Sequence, residues 1–169
     1  IISRAVVVGG QGDAINGEQE NFYLETHACL AVPVEGGTKL NIMASTHHPG
    51  KTQEACAKVL NIPESKIKVT VSRLGSSFGG KECTYFINVM CALAAWAVKP
   101  ARTPVRLLLD RETDMMITGG RHPMLAHYKA AFSKEGKILA MDYTIYVDGG
   151  HRIPYSTTVL TRALLHCDG

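Results

Sequence analysis

The apolar and polar positions of this 169-residue chain change period several times, and each change marks an element. From Phe22 to Val34, FYLETHACLAVPV mixes aromatic and β-branched residues with partial alternation, Glu35-Gly36-Gly37 supplies a turn, and TKLNIMAS resumes the pattern. Two paired strands are predicted. HHPGKTQEACAKVLNIP switches to helical spacing, with Thr52, Cys56, Val59 and Leu60 on one face, Pro49 suited to the first turn and Asn61 to the exit. KIKVTVSR, from Lys66 to Arg73, alternates as a strand with one wet face. Thr84 to Val98, TYFINVMCALAAWAV, is apolar nearly all round, with Asn88 the main interruption. It is shorter than the roughly eighteen residues a membrane span needs, so a buried core helix is predicted.

Pro104 to Leu109 reads as a short strand, and Asp110 to Thr118 as a turn of helix charged on one side and broken by Gly119-Gly120. HYKAAFSKEGKILAMDYTIYVDGG gives two strands around Lys134-Glu135-Gly136, a hairpin signal, and a last helix runs from Thr157 to His166. The order β-β-α-β-loop-α-β-β-β-α with two hairpins implies an α+β fold: a mixed, largely antiparallel sheet with packed helices rather than a doubly wound parallel sheet.

Composition narrows this further. With 46% hydrophobic and 20% charged residues the chain can form one ordinary packed core, and one domain is expected. The net charge of +3 is spread without a basic run or an aromatic stripe, which argues against a nucleic-acid partner. Five cysteines, Cys29, Cys56, Cys83, Cys91 and Cys167, lie far apart with no C-x-x-C pair, so neither a disulfide framework nor a zinc knuckle is suggested and a reducing compartment fits best. Neither IISRAVVVGG at the start nor HCDG at the end carries a terminal device, and the chain is expected to be an internal piece of something longer.

The candidate chemistry centres on RLGSSFGGKE, residues 73–82. Gly75, Gly80 and Lys81 have the spacing of a phosphate-cradling loop, but Glu82 stands where a Ser or Thr should hold magnesium. A carboxylate there repels a triphosphate and welcomes instead a flat heterocycle with N–H donors. A tight connection, with Glu82 answering the dipole of the following helix, is an equally open reading. Phe78 taken singly reads as a core plug. His47 and His48 are adjacent, cannot chelate one metal as an i, i+4 pair, and read as turn residues ahead of Pro49. Arg162, inside the apolar VLTRALL, must find a partner, face a cavity, or lie on the wet side of its helix. Asp110, Arg111, Glu112 and Asp114 look like a solvated charged turn, and Trp96 and the methionines like core.

NFYLETH at 21–27, AST at 44–46, FGGKE at 78–82, PVRLLLDRETDMMITGGRHP at 104–123 and RALLH at 162–166 fall in the order seen in one family. The chain resembles the molybdopterin-binding region of the xanthine dehydrogenase and aldehyde oxidase molybdenum hydroxylases. That resemblance implies oxidative hydroxylation of a purine, hypoxanthine or xanthine to urate, by an enzyme with Mo-molybdopterin. Electrons would leave through [2Fe-2S] clusters and FAD to NAD or oxygen. It further implies that Glu82 and Arg162 bind substrate from opposite sides, and that His47, Phe78 and Gly79 lie beside the cofactor. No metal ligand and no catalytic base falls in this segment; the family's base glutamate lies beyond Gly169, so the segment alone is expected to be inactive. The remaining domains of the parent chain, a homodimer, and a cytoplasmic or peroxisomal location, with no membrane partner, are expected as well. Two departures stand out: His47 where the family usually has Gln, and Gly75-Ser76-Ser77 where it usually has three glycines. Aldehyde oxidases share the scaffold but lack the Glu and Arg, so aldehyde oxidation is the nearest alternative. A divergent, non-catalytic copy is another.

Overall fold

The computed structural model describes residues 8–150 and 155–166, with the side chains of the first two of these left aside. The apolar run before Val8 and Cys167 lie outside the described residues. The chain forms two compact units, one of residues 20–120 and one made from the segments on either side.

The central unit contains β2 (Ala28–Val34), β3 (Lys39–Ala44), α1 (Pro49–Leu60), β4 (Ile67–Thr70), α2 (Tyr85–Ala97), β5 (Val105–Leu108) and α3 (Arg111–Thr118). Its four strands form one mixed sheet in the order β4-β3-β2-β5. β2 pairs antiparallel with β3 and β5, while β3 and β4 run parallel because α1 carries the chain between them. The predicted hairpin is thus present, joined through a short turn at Glu35–Gly37. Alternation decides which face is covered: Cys29, Ala31, Leu40, Ile42 and Ala44 point to one side, where they pack with Cys56, Ala57 and Leu60 of α1 and Cys91, Ala92 and Ala95 of α2. This is the packed core that the composition allowed. In it the Cys91 thiol donates to the carbonyl of Val105 at 3.3 Å, and burial pushes the Cys56 thiol up to about 12.

Several expectations change in detail. α1 buries Thr52, Cys56, Ala57 and Leu60, but Val59 is exposed, because the buried stripe turns toward Ala57. α2 is apolar all round yet buries one face only, leaving Met90 and Leu93 exposed. Among the described residues no helix is long and apolar enough to cross a membrane. Met43, Met90, Met116 and Met141 are exposed rather than core, since they fall on outward faces of their elements; Trp96 does pack against the core. β4 ends at Thr70, short of Arg73, because only its first residues find β3 alongside.

The second unit contains β1 (Val8–Asn16), β6 (Met124–Phe132), β7 (Ile138–Val147) and α4 (Ser156–Leu165). The hairpin β6–β7 turns where Lys134-Glu135-Gly136 predicted, with Gly136 at φ +87°. β1 has no counterpart in the apolar pattern: VGGQGDAIN is poor in strand formers, and antiparallel pairing along all of β6 makes it a strand.

Candidate cofactor and substrate site

The loop Gly75–Thr84 leads from the end of β4 into α2, and three of its residues hold unusual backbone: Ser76 at φ +72°, Phe78 at +48° and Gly79 at +95°. An internal turn tightens it, with the Gly80 amide donating to the carbonyl of Ser77 at 2.8 Å and the Gly79 amide to Ser77 Oγ at 3.3 Å. Two glycines are required by close approach. A Cβ on Gly80 would run into the Tyr23 ring, and one on Gly75 into Glu25. Gly79 differs: a Cβ there would meet nothing within 4 Å, so this turn of the backbone borders open space.

Lys81 decides what kind of loop this is. Its side chain is 0% exposed and its ammonium lies 2.8 Å from Glu25 Oε2, with the Tyr23 ring 4.9 Å away. A phosphate-binding loop needs that cation outward, so the nucleotide spacing is coincidental. Burial pushes the Glu25 carboxyl up, but the Lys81 ammonium and the Gly75 amide outweigh it and hold it below the usual range.

A second buried cluster stands behind the loop. Asp114, predicted to be solvated, is fully buried: it accepts from the Tyr23 hydroxyl, from the His27 amide at 2.6 Å, and from His27 Nδ1 at 3.0 Å. Burial raises the Asp114 carboxyl, yet these donors hold it below its ordinary value. For His27 burial wins over Asp114 and depresses the imidazole, so the ring is neutral and the contact is a hydrogen bond rather than an ion pair. An ionised carboxylate only accepts; Nδ1 therefore carries the proton, and Nε2 accepts from the Thr84 hydroxyl at 2.5 Å. Burial, then the bond to Asp114, pushes the Tyr23 hydroxyl well above its ordinary value. Arg111 is likewise engaged, donating to the carbonyls of Tyr23 and Leu24 at 2.5 and 2.9 Å and lying over the Phe22 ring. Asp110 and Glu112 of that charged turn are exposed as predicted, and Asp110 caps α3 by accepting from the Thr113 amide at 2.8 Å.

The predicted site residues on this loop come together. His47 donates its amide to the Lys81 carbonyl at 3.1 Å, and its Nδ1 lies 3.3 Å from Ser77 Oγ and 3.9 Å from Glu82 Oε1. The side chains of His47 and Glu82 are 42% and 38% exposed, so both are accessible from the open side. Phe78 is 64% exposed and not a core plug, since its left-handed backbone turns the ring out of the fold. Arg162 is exposed on α4, in the second unit. What the sequence reading missed is the supporting layer of Tyr23, Glu25, His27 and Asp114. The available signal was the crowding of Tyr23, Glu25 and His27 into the seven residues of NFYLETH, which the structure bends at Leu24 and Glu25 just ahead of β2.

The model of the molybdopterin cofactor-binding domain matches residues 1–169. The chain belongs to that family. It is 44% identical over 158 residues to the xanthine dehydrogenase/oxidase of Mus musculus, covering 93% of this chain and 12% of the relative. A nicotinate hydroxylase of Emericella nidulans is 40% identical over 152 residues, covering 90% of this chain and 11% of that protein. The chain thus spans about an eighth of the curated relatives it matches. Among solved structures, the aldehyde oxidoreductase of Desulfovibrio gigas superposes with a TM-score of 0.75 at 24% identity, covering 92% of this chain and 16% of that one, which shows the fold. The residues leave room for the cofactor that the family description names: the backbone at Gly79 faces open space, and His47 and Glu82 close to this loop are partly exposed.

Proposed function

We propose that this chain is a segment of the molybdopterin-binding region of a larger molybdenum hydroxylase, and that the parent enzyme hydroxylates purines. The observation that carries the reading is a half-exposed carboxylate, Glu82, held on the rim of a glycine loop whose Gly79 borders open space. His47, Phe78 and Gly79 would hold the cofactor. With His47 Nδ1 turned to Ser77, a hydrogen bond from this ring to the cofactor would come from Nε2. When bound, the cofactor supplies the two-electron oxidation. The protein's residues orient the ring: Glu82 accepts from a ring N–H, and Arg162 donates to a carbonyl oxygen as it gains negative charge. Phe78 offers an aromatic wall to a flat substrate. Electrons would leave through iron–sulfur centres and FAD to NAD or oxygen in other domains of a homodimeric parent protein working in the cytoplasm or peroxisome.

The test is a substrate panel of xanthine, hypoxanthine, nicotinate and simple aldehydes, with molybdenum analysis of the full-length protein. The proposal expects molybdenum close to one atom per chain and the highest kcat/KM on a purine. Highest turnover of aldehydes would move the enzyme to the aldehyde oxidases, and of nicotinate to the pyridine hydroxylases. A full-length protein without molybdenum would be a non-catalytic copy.

A further inference from the structure

Glu25 touches both ends of the glycine loop. Its backbone amide donates to the carbonyl of Gly75 at 3.1 Å, and its carboxylate accepts from the Gly75 amide at 2.9 Å. The same Oε2 takes the Lys81 ammonium at 2.8 Å. Gly75 and Lys81 bracket the segment with left-handed backbone at Ser76, Phe78 and Gly79. One carboxylate oxygen therefore fixes the distance between the two ends of a strained loop. Gly75 is needed there because a Cβ would collide with the Glu25 side chain. The grip extends further through Lys81, whose carbonyl accepts from the His47 amide at 3.1 Å and lies 3.4 Å from the Thr46 hydroxyl. His47 and Glu82 are thus set relative to each other by a chain of contacts that begins at Glu25.

We propose that Glu25, acting through the buried Lys81, is the positioning residue of this site: a clamp that closes the loop Gly75–Lys81 and sets His47, Gly79 and Glu82 in register for cofactor and substrate. It touches neither, and it rests on the reading of Gly79 as cofactor-facing but not on the identity of the substrate. The role is more than general support. α1, α2 and the sheet are held by their own apolar core, in which Glu25 takes no part. Loss of the clamp should free the loop and leave that core intact. The left-handed residues then have no closed end-to-end distance to hold them, and the loop opens.

The experiment uses the full-length protein, with Glu25→Ala and the double variant Glu25→Ala/Lys81→Met, the second removing the cation that the first leaves buried without a partner. Hydrogen exchange of individual segments is followed together with molybdenum per chain. With the clamp removed, amides 75–82 should exchange at least about tenfold faster while those of α1 and α2 keep their wild-type rates, and molybdenum per chain should fall several-fold. If Glu25→Ala does not fold, the double variant decides: a fast loop on unchanged helices supports the clamp. Loop amides as slow as wild type, equal acceleration in α1 and α2, or a double variant that also fails to fold would each overturn it. Because exchange is read without substrate, an enzyme that prefers aldehydes would sink the purine reading and leave the clamp standing.

Discussion

At Lys81 the chain places a cation in the position of a phosphate ligand and then encloses it, pairing it with Glu25 at 2.8 Å. One residue further, Glu82 stays half exposed. Neighbouring residues of opposite charge thus do opposite work, one holding the loop and the other facing out of it. The glycines divide in the same way. Gly80→Ala drives a methyl into the Tyr23 ring and the Asn21 amide, and should lower the local stability of the loop by about 1–3 kcal/mol. Gly79→Ala meets open space at φ +95° and carries only backbone strain of about 1–2 kcal/mol, but its methyl would enter the space proposed for the cofactor. Molybdenum per chain and segment-resolved hydrogen exchange separate the two. Gly79→Ala should lose metal with little loosening behind the loop, and Gly80→Ala should loosen the contact with residues 21–23. The same loss of metal and the same exchange in both variants would contradict the division.

Elements with a local cause were legible in the chain. α1 follows from helical spacing, Pro49 at its start and Asn61 at its end, and Asn61 does take the left-handed conformation, φ 53° and ψ 49°, with its amide returning to the carbonyl of Ala57. Asn61→Val should therefore loosen the last turn of α1 by about 1–2 kcal/mol, while Asn61→Gly should be near neutral, as read from exchange of amides 58–62. The β2–β3 and β6–β7 hairpins were legible for the same reason, since their turn residues lie between alternating runs. Elements and sites caused by distant partners were not. β1 is glycine-rich and becomes a strand only by pairing with β6. Asp114 looks solvated because its neighbours are charged, but the donors that bury it, Tyr23 and His27, come from the far side of the unit's sequence. Glu82 and the open glycine were visible as candidates, whereas the residues that hold them in place could be found only from contacts.

At the scale of the whole molecule, the apolar core and the polar layer both lie in the unit of residues 20–120, and Arg162 lies on α4 of the second unit. Below neutrality the polar layer makes stability depend on acidity with one sign. His27 is depressed by burial; Asp114 and Glu25 are depressed against burial by their donors and, for Glu25, by Lys81. A group whose folded pKa is lowered stabilises fully above its unfolded value and loses that contribution as pH falls through the folded one. His27 should start to weaken the fold below about pH 6.5, and the two carboxylates below about pH 4, both from ordinary unfolded values. The apparent Tm of the full-length protein should be level from neutrality to about pH 9 and fall in two stages on acidification. Replacing Asp114 by Asn should flatten the lower stage. A Tm that rises on going from pH 7 to pH 5 would contradict the assignment of His27 as neutral.

The proposed role of Glu82, presented by the loop to a nitrogen heterocycle, is tested by kcat/KM of full-length Glu82→Val on xanthine and on an aldehyde, with molybdenum measured alongside. Loss of a bond to the reacting ring should cost about a hundredfold or more on xanthine, with only a few-fold change on the aldehyde and with the metal retained. Equal losses on both substrates, or unchanged xanthine kinetics, would contradict it.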